Sequence, residues 1–457
     1  MKQLAFILLF TIACAFQSVA QERICFTIGD RSELSKVTRI VSIDRVEGTT
    51  VTAYANKEEL QMLESLGYHY QKADLPTPKV LNMATTVAEM ANWDCYPTYE
   101  TYVAMMQQYA ANYPTHCILD TIGYSIDNRL ILCAHITSGS VDEMYRPAFF
   151  YSSTMHGDEV TGFYLMLRLI DTLLKGYGNN DYITNLVNRT EIYINPLSNP
   201  DGTYHYSNNT VQGSQRYNAN YVDLNRNYPD PFGSAPMYSQ QQENTYMIEY
   251  LTNHHFVMSA NLHGGSEVLN FPWDSFTSYE RRHPNYNWWV EVCSRFIDTV
   301  RNYSTSHFLD VNNEGYVAGG DWYTIPNGRQ DYVNYYHNCL ELTMELSTIK
   351  TLSTDRLNNY WNFEGPALIS YINEVHNAPN NTQGIQQSAA LPTLKVYPNP
   401  TNSVVFIEPS EGGYLYDMYG HRVLTVDPGA NTIDMNNLKS GVYLYVSGGR
   451  TVRIVKQ

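Results

Sequence analysis

The feature that most constrains the fold is a long alternation of short apolar segments with amphipathic segments between about Trp93 and Val375. The segments "RLILCAHI", "AFFYSST", "TEIYINPL" and "HFVMSANLHGG" are short and apolar, as strands are. The segments "TYETYVAMMQQYAANYP" and "FYLMLRLIDTLLKGYG" have helical spacing and end at proline or glycine. This alternation predicts an α/β domain with a mixed central sheet covered by helices. Functional side chains are then expected in loops at the carboxyl ends of strands.

Two smaller regions flank this domain, which we place at residues 93–375. Residues 21–78 read as an α+β module in which Asn56 caps a short helix, and this module is either a prosegment or a simple N-terminal domain. A polar, uncharged linker covers residues 376–391. Residues 392–457 contain short strands broken by Gly, Pro and Asn, the pattern of a small β-sandwich.

The first twenty residues read as a signal peptide, with Lys2 before the apolar run "LAFILLFTIACAF" and a small-residue cleavage site "SVA" before Gln21. The alternative is a lipoprotein signal at Cys14, which Thr11 fits poorly. No later segment is long enough to span a membrane, so the mature chain is expected to be exported and either soluble or held at the cell surface.

Composition narrows the class of partner. The formal net charge of −16 and the lack of a Lys/Arg cluster argue against nucleic acid, since phosphate binding needs a basic face. Export permits disulfides among the six cysteines that follow the signal peptide, but the sequence does not decide their pairing. None of them forms a C-x-x-C pair, so they do not predict a cysteine metal site.

The segment "STMHGDEVTG" places His156 three residues before Glu159 where a strand gives way to a helix. Such a pair alone is a weak signal and fits an ordinary turn as well as a metal site. A catalytic zinc site needs three protein ligands and one open position. The segment "SANLHGG" offers His263 as the third ligand, again at the end of an apolar strand, although a lone histidine there also fits a core position.

Other polar residues near these segments suit peptide chemistry. Arg216, Asn225 and Arg226 lie in a polar loop, where guanidinium groups either hold a carboxylate and an oxyanion or simply face solvent. The segment "CLELTMELS" alternates as a strand and places Glu345 on the same face as Glu341. A carboxylate on a strand that enters an apolar interior is costly without a role, so Glu345 is a candidate general base.

These segments, in this order, closely resemble the zinc metallocarboxypeptidases related to carboxypeptidases A, B and E, over roughly residues 93–375. The resemblance implies one Zn²⁺ ion as cofactor. It places the family's zinc motif on His156 and Glu159 and its third ligand on His263. The general base of the family falls on Glu345.

The same resemblance implies roles for residues that contact substrate. The oxyanion-stabilising arginine falls on Arg216, and the pair that binds the terminal carboxylate falls on Asn225 and Arg226. The mobile tyrosine that closes over substrate falls on Tyr323, twenty-two residues before Glu345 as in the family.

Substrate preference follows from the pocket positions. Asp274, eleven residues after His263, resembles the aspartate of the branch that removes C-terminal Lys or Arg, and Gln330 matches the carboxypeptidase E branch. A buried carboxylate there attracts a basic side chain, whereas a helix cap or solvated turn is the alternative for Asp274. Phe271 replaces the tyrosine usual in that branch, and Arg329 departs from its glycine-rich run and is expected to repel a basic substrate.

The C-terminal region resembles the sorting domain of cargo for the type IX secretion system, through "VYPNP", "LKSGVYLY" and the basic-apolar end "RIVKQ". An adhesive sandwich is the alternative for this region. The sequence therefore predicts an exported zinc carboxypeptidase that acts on peptide C-termini, preferring Lys or Arg, with the secretion machinery as a partner. The alternatives are a peptidoglycan-peptide carboxypeptidase of the same superfamily and a catalytically silent surface-binding protein.

Overall fold

A computed structural model describes residues 22–74, 81–139, 146–379, 395–408, 412–417, 422–447 and 450–457. The predicted signal peptide and most of the linker before the C-terminal region lie outside these residues. The chain forms two compact units, Met1–Gln383 and Gly384–Gln457, which we describe one at a time.

The N-terminal module is a four-stranded antiparallel sheet, in the order β2-β3-β1-β4, with two short helices. Its elements are β1 (Glu22–Thr27), α1 (Leu34–Val37), β2 (Ser42–Glu47), β3 (Thr50–Ala55), α2 (Lys57–Ser65) and β4 (Tyr70–Lys72). Asn56 caps α2 as the sequence predicts, because its side chain accepts from the backbone N–H of Glu59 while the Glu59 carboxylate accepts from the backbone N–H of Asn56. The module has an apolar core of its own.

The central domain is built on an eight-stranded sheet, in the order β13-β12-β14-β11-β9-β10-β8-β7. Its strands are β7 (Cys117–Tyr124), β8 (Leu130–Ile136), β9 (Ala148–Ser153), β10 (Glu191–Asn195), β11 (Phe256–His263), β12 (Glu267–Phe271), β13 (Tyr316–Ala318) and β14 (Leu340–Leu346); β5 (Met83–Ala84) and β6 (Tyr96–Pro97) form a separate pair. The strands β10, β9, β11 and β14 run parallel, whereas β7, β8 and β12 join antiparallel. The predicted mixed sheet is confirmed.

Helices cover both faces of this sheet. They are α3 (Tyr99–Asn112), α4 (Thr161–Gly176), α5 (Asp181–Arg189), α6 (Pro200–Thr203), α7 (Gln242–Asn253), α8 (Tyr286–Arg301), α9 (Gly319–Trp322), α10 (Arg329–Tyr336) and α11 (Leu357–Asn373). The helices α4, α8 and α11 pack on one face, and α7 and α10 pack on the other. Strand β9 is buried between the two, since Phe149 and Tyr151 join one core and Phe150 joins the other.

The C-terminal unit contains two antiparallel sheets, in the orders β15-β16-β19 and β18-β17-β20-β21. The strands are β15 (Lys395–Tyr397), β16 (Val404–Glu408), β17 (Gly413–Asp417), β18 (Arg422–Val426), β19 (Thr432–Asp434), β20 (Gly441–Ser447) and β21 (Arg450–Lys456). Side chains of both sheets form one apolar core, among them Ile407 of β16 and Tyr445 of β20. The predicted sandwich is confirmed.

Two further observations concern the described residues as a whole. None of their helices combines the length and apolar character that crossing a membrane requires. The six cysteines after the signal peptide are free thiols in the structure, and five of them are buried. No disulfide therefore contributes to the stability of the described residues.

Candidate active site

The three candidate metal ligands meet at the carboxyl ends of two neighbouring parallel strands. His156 and Glu159 lie in the loop between β9 and α4, and His263 is the last residue of β11. Because β9 and β11 pair in parallel, their ends lie at the same edge of the sheet. The strand order thus brings together ligands that are more than a hundred residues apart in the chain.

The ligand atoms converge on one point. His156 Nδ1 and His263 Nδ1 lie 3.0 Å apart, and the Glu159 Oε2 atom lies 3.0 Å from the first and 2.9 Å from the second. All three side chains are buried. Two imidazole nitrogens and a carboxylate oxygen form the donor set of a catalytic zinc site with one open position. These residues therefore fit Zn²⁺.

Acceptors behind the two imidazoles set their orientation. His156 Nε2 lies 3.1 Å from an Asp223 carboxylate oxygen, and His263 Nε2 bonds the side-chain oxygen of Asn261. Each Nε2 is therefore assigned the proton, which leaves the Nδ1 lone pair free for a metal. Burial lowers the pKa of His263 to about 4, so this ligand stays neutral, as metal binding requires.

Gly157 allows the metal-binding loop to pass against a second loop. A Cβ atom at position 157 would lie 2.3 Å from the carbonyl carbon of Gly202, which is backbone and cannot yield. The segment "NPDG" supplies that neighbour as the short helix α6, which Asn199 caps through the N–H of Gly202. The glycine after His156 is thus required by packing.

Glu345 faces the same cavity. It lies on β14 directly opposite His263 in the parallel pairing of β11 and β14, and it lines the cavity with the three ligands. Its Oε2 atom is buried and has no hydrogen-bond partner among the described residues. Burial and the neighbouring Glu159 carboxylate raise the pKa of Glu345, and a bound cation acts in the opposite direction.

Arg216 is buried against the ligand loop. Its guanidinium contacts Asp223 at 3.0 Å and the Glu159 Oε1 atom at 3.3 Å. Asp223 thereby bonds both Arg216 and His156, so it positions a candidate oxyanion-binding group relative to a candidate ligand. Charged hydrogen bonds of this kind hold side chains in fixed directions.

Asn225 and Arg226 line the cavity beside Arg216. The Asn225 side chain accepts from the backbone N–H of Arg329, which fixes its orientation. The Arg226 guanidinium donates to the carbonyl oxygen of Asn225 and to the hydroxyl of Thr38, while its buried Nε has no hydrogen-bond partner in the described part of the chain. Arg226 thus keeps donor capacity that a carboxylate can satisfy.

The predicted pocket residues lie at or beside the same cavity. Asp274 and Tyr323 both line it, and Gln330 donates to the Asp274 carboxylate at 2.8 Å. Asp274 is buried and adjacent to Asp331, and these two causes raise its pKa. The closing tyrosine predicted at position 323 packs against the core of the N-terminal module.

Arg329 does not line the cavity, contrary to the concern raised by the sequence. Its side chain is 0% exposed, and its guanidinium forms two 3.1 Å contacts with the Glu341 carboxylate and one of 2.8 Å with the hydroxyl of Ser152. Its charge is therefore neutralised within the domain. The sequence placed Glu341 on the same strand face as Glu345 but could not show this pairing.

Sequence reasoning missed three neighbours of the candidate ligands, Lys350, Asp158 and Asp44. The Lys350 ammonium lies 3.2 Å from the Glu159 Oε1 atom and 3.2 Å from Asp158, and 2.6 Å from Asp44 of the N-terminal module. Asp158 lies within the segment "STMHGDEVTG" and Lys350 three residues after "CLELTMELS", but no spacing rule marks their partners. Asp44 comes from a different part of the chain, so only the tertiary structure identifies it.

Family models match two parts of the chain. Residues 102–365 match the model described as zinc carboxypeptidase, which covers more than half of the chain. Residues 395–457 match the model described as secretion system C-terminal sorting domain. The two regions coincide with the central α/β domain and the C-terminal strands.

Curated relatives include carboxypeptidases of animals. Carboxypeptidase D of Anas platyrhynchos is 34% identical over 283 residues, which is 59% of this chain and 20% of that protein. Carboxypeptidase M of Mus musculus is 33% identical over 325 residues, which is 66% of this chain and 70% of that protein. The match thus spans only a fifth of the length of carboxypeptidase D.

Solved structures share the fold at low sequence identity. The carboxypeptidase A of Helicoverpa armigera has a TM-score of 0.58 at 16% identity and covers 78% of this chain and 97% of its own. Thrombin activatable fibrinolysis inhibitor has a TM-score of 0.57 at 14% identity and covers 79% of this chain and 100% of its own. At these identities the likeness concerns the fold alone.

Proposed function

Since the chain belongs to the zinc carboxypeptidase family, we propose that it is an exported metallocarboxypeptidase that hydrolyses the C-terminal residue of peptides and prefers Lys or Arg there. The observation that carries the proposal is a single cavity lined by the metal-ligand triad, by the candidate base, by the two candidate carboxylate-binding side chains and by Asp274. The residues that line this cavity include His156, Glu159, His263, Arg216, Asn225, Arg226, Asp274, Tyr323 and Glu345.

The chemistry divides between the ion and the side chains. Zn²⁺ held by the triad supplies a Lewis acid that polarises a carbonyl and lowers the pKa of water. Glu345 takes a proton from the attacking water and passes it to the leaving amine. Arg216 stabilises the oxyanion that develops at the scissile carbonyl. Asn225 and Arg226 hold the free carboxylate, which restricts cleavage to the last peptide bond.

The preference for basic residues rests on Asp274. This carboxylate is buried in the cavity and has Gln330 as its side-chain donor, with no cationic side chain paired to it among the described residues. A Lys or Arg side chain of a substrate supplies the missing cation, whereas an apolar side chain leaves Asp274 buried without one. The neutralised Arg329 does not oppose such a substrate.

The C-terminal sorting domain marks the chain as an exported protein, at the cell surface or secreted. We infer that this domain is recognised by the type IX secretion machinery and that the substrates are peptide or protein C-termini outside the cell. Both partners follow from the domain types that the chain carries.

The proposal is tested by zinc analysis and by hydrolysis of a matched peptide series. Peptides that differ only in a C-terminal Lys, Arg, norleucine or D-alanine are incubated with the protein and with Glu345→Gln. We expect release of Lys and Arg at least tenfold faster than norleucine, and a rate loss on the order of 10²–10⁴ for Glu345→Gln, because general base catalysis contributes that much.

Glu314→Gln is the matched control, since Glu314 is an exposed carboxylate away from the cavity. Cleavage only beside D-alanine would favour a peptidoglycan-peptide carboxypeptidase instead. Bound zinc without any hydrolysis, in a protein whose active site is accessible to peptide, would favour a surface-binding protein.

A further inference from the structure

The loop that carries Asp274 is bound to helix α10 through its backbone. One oxygen of the Asp331 carboxylate accepts the backbone N–H of Asp274 at 2.8 Å, and the other accepts the backbone N–H of Ser275 at 2.9 Å. The carbonyl oxygen of Asp274 in turn accepts the backbone N–H of Ile325 at 3.0 Å. Both backbone groups of Asp274 are therefore fixed by contacts with other segments.

The Asp274 side chain is fixed as well. Its Oδ1 atom accepts from the side-chain amide of Gln330 at 2.8 Å, and Gly319 lies so close that a Cβ atom there would be 1.9 Å from the same oxygen. The second oxygen, Oδ2, has no hydrogen-bond partner among the described residues, and Asp274 lines the active-site cavity. This arrangement leaves Oδ2 as the acceptor that a substrate can use.

Asp331 directs both of its carboxylate oxygens at this loop and not at its own helix. An acidic side chain in the first turn of a helix ordinarily interacts with the free N–H groups there. In α10 the N–H of Arg329 is taken by the Asn225 side chain, and the cap residue Gly328 has no side chain to contribute. Asp331 is 2% exposed and has no ion pair within the described residues, which is a costly placement for a carboxylate without a role.

Asp331 also places a second carboxyl group beside Asp274. Burial raises the pKa of Asp331 to about 6, and burial together with the neighbouring Asp331 charge raises the pKa of Asp274. The other charged or titratable groups that act on this pair are Arg226, Glu341, Tyr323 and Asp230. Arg226 opposes the effect on Asp274, and Glu341 is itself neutralised by Arg329. A cation that enters the pocket therefore meets two carboxyl groups.

We propose that Asp331 is a positioning residue for substrate specificity, which holds the backbone of residues 274 and 275 and adds its charge behind Asp274, so that the Asp274 carboxylate is presented to a basic side chain in the cavity. This inference rests on the proposed function, since it concerns which C-terminal residue is preferred. Asp331 does not line the cavity and acts through Asp274. It forms no hydrogen bond with the metal ligands or Glu345 in the described part of the chain, so it serves substrate preference and not the chemical step.

The first test compares Asp331→Ala with Asp321→Asn in the full chain. Asp321 is an exposed carboxylate that binds the same loop in the same way, through the backbone N–H of Ser278 at 2.8 Å, so its variant is the matched control. Asp331→Ala should lower the ratio of kcat/KM for peptides ending in Lys over norleucine by about tenfold or more, because small misplacements of a binding group have effects of this size. The loss should fall on KM for the Lys peptide, while the norleucine peptide and Asp321→Asn stay unchanged. Equal losses on both peptides would overturn the proposal.

Asp331→Asn tests the same assignment through pH. This variant keeps the shape and one acceptor oxygen, so it should retain more of the Lys preference than Asp331→Ala does. It also removes the charge that raises the pKa of Asp274, so Asp274 should ionise, and the preference for Lys should begin, at a lower pH than in the parent. An Asp331→Asn profile that coincides with that of the parent would contradict the proposal.

Hydrogen exchange measures the positioning without any hydrolysis. The amides of Asp274 and Ser275 should lose protection in Asp331→Ala and keep it in Asp321→Asn, while thermal melting verifies that both proteins are folded. A parent that hydrolyses no peptide would contradict the proposed function, and calorimetric binding of L-lysine against L-norleucine would then measure the preference. Equal amide protection in the parent and Asp331→Ala, or lysine binding that Asp331→Ala leaves unchanged, would overturn the positioning role.

Discussion

Two buried arginines of the central domain show how the same ion pairing serves different ends. Arg329 meets one carboxylate, Glu341, through two contacts, and neither side chain has any exposed surface. Arg216 is shared between Asp223 and the candidate ligand Glu159, and it lines the active-site cavity. We call the first the sealed pair and the second, together with Lys350, the cavity cluster.

The difference lies in how completely the donors and acceptors are used. The Glu341 carboxylate also accepts hydrogen bonds from Ser259 and Asn261, so both of its oxygens are satisfied within the domain and none is left for another molecule. The cavity cluster lies beside groups that keep unused hydrogen-bonding capacity, such as the Glu345 Oε2 atom, which lines the same cavity. Burial of charge alone therefore does not identify a functional site. Unsatisfied hydrogen-bond donors or acceptors that face a cavity do so.

The largest effect is expected when a candidate metal ligand of the cavity is removed. His263→Ala should lower zinc content and reduce the hydrolysis rate on the order of 10⁴ or more, because several kcal/mol of transition-state stabilisation depend on the ion. His255→Ala, an exposed histidine on the same approach to β11, is the control and should change neither. Zinc analysis and peptide hydrolysis measure both, and unchanged zinc content in His263→Ala would contradict the ligand assignment.

Breaking the sealed pair should affect stability instead. Glu341→Gln leaves the Arg329 charge uncompensated in the interior, so the free energy of unfolding should fall by about 3–5 kcal/mol. Glu374→Gln breaks the half-exposed pair with Arg295, and should cost about 1 kcal/mol or less. Urea denaturation compares the two variants. Equal losses would mean that the sealed pair contributes no more than an exposed one.

In the same cavity, Asp274→Asn should reduce the preference for C-terminal Lys over norleucine by about tenfold to a hundredfold, since one charge contact is removed. In the parent this preference should grow as pH rises, because the raised pKa of Asp274 keeps the carboxyl neutral at low pH. Asp321→Asn, an exposed carboxylate nearby, is the control. A preference that Asp274→Asn leaves intact would assign specificity elsewhere.

The smallest expected effect concerns Glu59 in the module. Burial raises the pKa of Glu59 to about 7 from 4.5, so the folded state holds a proton more tightly than the unfolded chain does. The contribution of Glu59 is therefore fully present below about pH 4.5 and is lost as pH rises through about 7. Glu59→Gln should flatten the decline in melting temperature between pH 6 and 7, by the equivalent of about 1 kcal/mol.

Glu58→Gln is the control for this experiment, since Glu58 is exposed one position earlier on the same helix. A decline that is as steep in Glu59→Gln as in Glu58→Gln would assign the pH dependence to another group. Melting followed by circular dichroism at each pH measures all three proteins.

Much of the fold and of the candidate site followed from local sequence. The strands that end at Ser153 and His263 were predicted because apolar runs precede polar loops, and the Asn56 cap was predicted because capping depends on neighbours three residues apart. The resemblance then assigned roles to particular residues. What could not be predicted were the partners in buried ion pairs, such as Glu341 in the strand that follows Arg329 and Asp44 in the module distant from Lys350, since ion pairs leave no periodic signal.

The sequence by itself determined the type of sheet and which residues offer metal ligands, because these follow from side-chain periodicity and chemical identity within short segments. The roles of the residues predicted to contact a peptide end came from the family resemblance. Only the tertiary structure decided which strand ends meet and which arginine is neutralised inside the domain. It also decided that side chains of the N-terminal module line the cavity. Those outcomes depend on contacts between segments up to hundreds of residues apart, where geometry and burial select among partners of equal charge.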